Sequence, residues 1–251
     1  MNKKLFLILV LGAYLVSQEN TLKTLNPDNS VVAFDFHGVL VDTDYPNIYK
    51  LVDTNFAKNV AYIMPKAVLQ SPWWVWSIFG LLKQYPKSAI FSQLAKNYSF
   101  FQSLVPTITR MTNQQKIKPG IVDTLEALRN SGYSVALASN ITAETLADLD
   151  VNGPLEVKEF VNNYFPVEKR LIPSPENNML HKPQVEYFEA LKTMFPEKAI
   201  VFFDDKKSNR DKAIQQGMLA FDPSEINRVI QTLLNNAATG SNQPVELLKK
   251  N

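Results

Sequence analysis

Two apolar runs in this sequence end on carboxylates. Val31-Val32-Ala33-Phe34 runs into Asp35, which opens the stretch DFHGVLVDTD, and Ala199-Ile200-Val201-Phe202-Phe203 runs into Asp204-Asp205. A carboxylate at a strand end, followed by a glycine-containing turn, can present an oxygen nucleophile or a metal ligand. A third run, Val135-Ala136-Leu137-Ala138, ends at Ser139. Carboxylates crowded at one point repel unless a cation sits among them. Oxygen donors of this kind suit Mg²⁺.

The elements that would position these residues follow from the pattern. Each run is short, continuous and rich in β-branched or aromatic residues, which reads as a buried strand. Each gives way to a helical pattern. Strands of this kind alternating with helices predict an α/β fold with a doubly wound, Rossmann-like parallel sheet. In such sheets ligands bind beyond the carboxyl ends of the strands, so Asp35, Ser139 and Asp204 are expected to share one crevice.

The order of these elements resembles the haloacid dehalogenase-like (HAD) superfamily, and most closely its phosphatases with a helical cap inserted after the first motif. The resemblance rests on Asp35 to Asp44, on Lys118-Pro119-Gly120 opening a helix, and on Gly132-Tyr133 leading into VALASN. It rests also on His181-Lys182-Pro183 starting a helix with Tyr187-Phe188, and on VFFDD followed by Ser208-Asn209. It covers about residues 31 to 235. It implies a Mg²⁺-dependent transfer through an aspartyl-phosphate on Asp35. Asp204 and Asp205 are then further metal ligands, with the backbone carbonyl of His37 completing the set. Ser139 and Asn140 bind substrate, Lys182 neutralises charge on the phosphate and on Asp35, and Asn209 orients the acidic loop or Lys182.

One position departs from the family pattern. Its phosphatases carry a second aspartate two residues after the nucleophile, and here that residue is His37. Histidine can do general acid/base work near neutral pH. As an imidazolium it would sit unfavourably near Mg²⁺ and Lys182 when no phosphate is bound. His37 is therefore read as an acid/base, as a substrate-selecting residue or as a mark of lost catalysis. The leading expectation is a phosphomonoester hydrolase acting on a small phosphorylated substrate. The alternative is a weak or silent protein that binds a phosphorylated ligand or a partner. A phosphotransferase would need an acceptor other than water. A dehalogenase is disfavoured by the paired Asp204-Asp205. His181 reads as a loop residue.

Composition narrows the field. The 251 residues carry 26 Lys and Arg against 24 Asp and Glu, a net charge of +2, with no cysteine and two histidines. Bulk electrostatic binding of nucleic acid has no support in that balance. The absence of cysteine excludes disulfides and thiolate sites, and two histidines argue against a multi-histidine zinc site.

The expected organisation has four parts. Residues 1–20 are a signal peptide or N-terminal apolar segment: Lys3-Lys4, then the uncharged run Leu5 to Val16, then polar residues. This pattern reads as export to the periplasm or outside, with cleavage at Ser17 or just beyond, and otherwise as a cytoplasmic protein whose segment touches a membrane. Residues 31–43 and 118–236 form the core. Residues 44–117 form a helical cap whose Trp73, Trp74 and Trp76 read as core or as a substrate- or membrane-facing surface. Asp222-Pro223-Ser224-Glu225 opens a helix ending near Asn235, and residues 237–251 are a flexible tail. Oligomeric state is not legible.

Overall fold

The computed structural model describes residues 18–44, 46–48, 110 and 113–239. The apolar leader to Ser17, most of the expected cap with its three tryptophans, and the tail from 240 on lie outside the described residues. Seven strands and six helices are described in these segments: β1 Ser30–Phe34, β2 Val41–Thr43, β3 Gln115–Ile117, α1 Ile121–Asn130, β4 Ser134–Ala138, α2 Ala143–Asn152, α3 Leu155–Tyr164, β5 Arg170–Leu171, α4 Val185–Met194, β6 Ala199–Phe203, α5 Lys207–Gln215, β7 Leu219–Phe221 and α6 Ile226–Thr239.

Five strands form one sheet in the order β5-β4-β1-β6-β7. The β1–β6, β6–β7 and β4–β5 pairings are parallel. This is the expected α/β, Rossmann-like sheet. The three buried runs read from the sequence are β1, β4 and β6. Strands β5 and β7 were not legible, because two and three residues are too few for a period. The chain divides into two compact units. One takes in residues through 35, 120–136 and 183 on, and the other 36–119 and 137–182.

In the first unit the register sets Phe34 beside Phe203 and Phe203 beside Phe221. Their rings form a row, with centroids 5.3 Å apart for the first pair and 6.0 Å for the second. Such pairs add about 0.5–1.5 kcal/mol each beyond simple burial. The row pins the strands in register one residue short of Asp35, Asp204 and Asp222. Helix α6 closes this core with Val229 and Leu233, both fully buried.

The chain enters the first unit through a helical turn at 18–22, where Leu22 and Leu25 are fully buried. Asn236 Nδ2 donates to the carbonyls of both leucines at 2.9 Å, and Tyr133 Oη donates to Leu233 O at 2.8 Å. Arg228 pairs with Glu19 at 2.6 Å. Of residues 18–20, which the sequence reading places at the end of the leader, Gln18 is buried and Glu19 is bound to Arg228. Helix α6 also outruns its expected end near Asn235. Ala237 and Ala238 are strong helix formers, and Thr239 Oγ1 donates back to the carbonyls of Asn235 and Asn236.

In the second unit, β2 and β3 pair antiparallel, Asp42 opposite Lys116. The sequence pattern places Gln115–Ile117 in the helical cap, and the structure makes it a strand paired with β2. These strands are short and polar, and only pairing between distant segments forms them. Among the described residues no helix is long and apolar enough to cross a membrane.

Candidate active site

The sheet order reverses between β1 and β6, with β4 and β5 on one side and β6 and β7 on the other, and this is the position where ligands bind in open α/β sheets. Asp35 and Asp204 are the next residues beyond this pair. Asp35 N donates to Phe203 O at 2.8 Å, and Asp204 N to Phe221 O at 3.3 Å. The ladder therefore extends one step past the strands and fixes both backbones. Oxygens of Asp35, Asp204 and Asp205 all lie within 4.8 Å of one another. Asp204 is fully buried, Asp35 is 7% exposed, and Asp205 faces outward.

This acidic end is braced by α5. Asn209 Nδ2 donates to both carboxylate oxygens of Asp204 at 3.0 Å, and Lys206 N donates to Oδ1 at 2.8 Å. Of the two roles read for Asn209, the structure gives it the acidic loop. Ser208 and Asn209 lie inside the helix, whose N-cap is Lys206. Arg210 carries a role the sequence did not suggest. Its Nη1 donates to the carbonyls of Asp204 at 2.8 Å and Asp205 at 2.9 Å, and meets Asp222 at 3.1 Å. Tyr187 is fully buried. Burial pushes its phenol well above the usual tyrosine range, and the carboxylates of Asp35 and Asp204 push it the same way.

A cluster of hard oxygen donors this tight fits a divalent cation such as Mg²⁺. At these separations like charges cost less with a cation between them.

The second unit holds the other expected residues. Ser139 is 1% exposed and its Oγ accepts from Ile141 N at 3.2 Å. Its hydroxyl proton is the side chain's single donor. Lys182, 2% exposed, donates from Nζ to Ala138 O at 2.8 Å. Asn140 locks onto the same lysine in both directions. Lys182 N donates to Asn140 Oδ1 at 2.7 Å, and Asn140 Nδ2 donates to Lys182 O at 2.9 Å. Asn140 was expected on substrate, and its side chain is found holding the lysine. His181 Nδ1 lies 3.1 Å from Met179 O and its side chain is exposed.

His37 sits in a tight loop after β1. Leu40 N and Val41 N both donate to Phe36 O, and Gly38 takes φ 79°, a conformation that favours glycine. The His37 ring packs edge-on to Phe36, centroids 4.9 Å apart. Lys118, read from the sequence only as a helix opener, clamps this loop. Its Nζ donates to Gly38 O at 2.7 Å, its N donates to Leu40 O at 3.0 Å, and its ammonium lies 3.7 Å from Asp42. Asp44 caps the turn that follows, accepting from Asn47 Nδ2 at 2.6 Å.

No family model and no curated protein sequence matches the chain. Solved structures do match, and the fold they share with this chain is the haloacid dehalogenase-like one. An HAD family enzyme of Bacteroides thetaiotaomicron is 20% identical, with a TM-score of 0.52 over 77% of this chain and 93% of its own. A variant of that enzyme in complex with magnesium and inorganic phosphate matches with a TM-score of 0.53. A β-phosphoglucomutase-like protein of Thermotoga maritima is 21% identical, with a TM-score of 0.52 over 80% of this chain and 98% of its own.

Proposed function

We propose that the protein is a Mg²⁺-dependent phosphomonoester hydrolase that works through an aspartyl-phosphate on a small phosphorylated substrate. The observation that carries this reading is the three-carboxylate cluster beyond β1 and β6. The enzyme of Bacteroides thetaiotaomicron, whose fold this chain shares, is known in complex with magnesium and phosphate, which agrees with a cation there.

In the proposed reaction an Asp35 oxygen attacks phosphorus and the ester P–O bond breaks. The leaving oxygen takes its proton from His37 as imidazolium. Water then attacks the phosphorus of the acyl phosphate, His37 takes a proton from it, and phosphate leaves with Asp35 regenerated. Lys182 offsets negative charge on the phosphoryl oxygens, and Ser139 donates a hydrogen bond to one of them. Asn140 holds Lys182, and Asn209 and Arg210 hold the acidic loop. Bound at Asp35, Asp204 and Asp205, Mg²⁺ would screen the carboxylates and polarise the phosphoryl group. The basic and apolar leader supports export, which would give the enzyme an extracytoplasmic substrate.

His37 also favours a second reading, a protein that binds a phosphorylated ligand without turning it over. Hydrolysis of an aryl phosphate with and without Mg²⁺, across about pH 5 to 9, decides between them. Mg²⁺-dependent turnover that disappears in Asp35→Asn is expected. A pH limb near the histidine range, absent in His37→Asp, would assign the proton to His37. A folded protein that binds Mg²⁺ and phosphate but stays inactive even as His37→Asp would establish the binder.

A further inference from the structure

The second unit contains a cavity of about 470 Å³ that none of the residues discussed above lines. Its walls come from α2, α3, β5 and the short 3₁₀ turns Val167–Lys169 and Pro175–Asn177. This volume is in the usual range for small-molecule pockets.

The walls are tied together. Asn162 Nδ2 donates to Asp150 Oδ1 at 2.8 Å, which joins α3 to α2. Arg170 Nη2 donates to Asn162 Oδ1 at 3.0 Å, and its Nε donates to Phe165 O. Asn177 Nδ2 donates to Ile172 O at 2.8 Å, and Ser174 and Asn177 close a capping box. At the α2–α3 corner only glycine fits, since a Cβ on Gly153 would lie 2.4 Å from Leu149 O. The cavity is thus held open by its own scaffold.

Its wall carries donors on Arg170 and Lys158 and acceptors on Asp150 and Glu176. The carboxylate of Asp150 is engaged by Asn162 and by Lys158 at 3.9 Å, and Glu176 accepts from the Ser174 side chain. Arg170 is half-buried, and burial pulls its pKa below the usual arginine value despite Asp150 and Glu168. Among the described residues its Nη1 donates to no partner. A planar guanidinium edge with open donors matches a carboxylate. A doubly charged phosphate would meet Asp150 and Glu176 at the same wall. Leu146, Leu149, Val161 and Ile172 supply an apolar bed, and Val167, 76% exposed, stands at the lip.

We propose that this cavity binds a small organic carboxylate with an apolar body, the carboxylate on Arg170 and the body on Leu146, Leu149, Val161 and Ile172. The inference does not depend on the proposed reaction. Calorimetry and amide chemical-shift mapping of the full chain with isocaproate test it, beside isohexanol and isohexyl phosphate. Saturable binding of isocaproate is expected, with shifts around α2, α3 and β5 and affinity at least about tenfold above the other two probes. Arg170→Met should reduce that affinity about tenfold or more. Val167→Asp, an exposed change that leaves the scaffold intact, should reduce it several-fold by placing a like charge at the lip. No saturable binding, binding unchanged in both variants, or equal binding of the alcohol or the phosphate ester would overturn the proposal.

Discussion

The acidic strand ends and the lysine network hold their functional groups by opposite means. Asp35 and Asp204 ride on the sheet. Their backbones continue the β1–β6–β7 ladder by one step, and the row of phenylalanine rings beneath fixes its register. Lys182 lies outside any strand or helix of the described chain. It is held by bonds to Asn140 and Ala138, 42 and 44 residues earlier. A ladder spreads positional control over many backbone bonds, so no single side chain decides it. The Asn140 amide binds both backbone groups of the lysine, so a single substitution removes two of its bonds at once, and that makes it the more fragile half.

Breaking that amide should have the largest effect. Asn140→Ala leaves the N–H and C=O of Lys182 without their side-chain partner, a loss of about 2–4 kcal/mol in denaturant unfolding. Asn140→Asp keeps the acceptor and should recover roughly half of that. If Asn140→Ala unfolds like the parent protein, the lysine is held by its surroundings and the contrast collapses.

The matching change on the acidic side should cost less. Asn209→Ala removes one amide, while Lys206 N still reaches Asp204. A loss of about 1–2 kcal/mol in stability is expected. Mg²⁺ affinity by titration calorimetry should fall about 10–100-fold, because Asn209 orients a proposed ligand.

The smallest effect belongs to the loop after β1. Lys118→Met removes the ammonium from Gly38 O and Asp42 but keeps the backbone bond to Leu40. About 0.5–1.5 kcal/mol is expected from the lost charged hydrogen bond. Hydrogen exchange at Leu40 and Val41 should quicken more than exchange in β6, which reports loop opening rather than global unfolding.

What could be read from the sequence follows the same division. Asp35, Ser139 and Asp204 stand at the ends of apolar runs, and a buried parallel strand announces itself by composition alone. Capping at Asp222-Pro223-Ser224-Glu225 was equally legible, and the structure shows the capping box there. Among the bracing residues Asn209 was legible, while Arg210, Lys118 and Asn140 were not legible in the contacts they make. Arg210 looks like any helix-surface arginine until the carbonyls of Asp204 and Asp205 are folded back over it. Lys118 looks like a helix opener until β3 pairs with β2. Asn140 follows a strand, as a substrate contact would, and nothing local reveals a partner 42 residues on. Such roles depend on contacts between distant segments.

The burial of Gln18, Leu22 and Leu25 sets an order of events for any processing of the leader. A peptidase needs its substrate extended, and Leu22 and Leu25 hold this stretch inside the body, with Glu19 tied to Arg228. After folding, a cut beyond Ser17 would have to wait for local unfolding. Maturation at such a place is therefore a race that the peptidase wins only while the chain is still emerging.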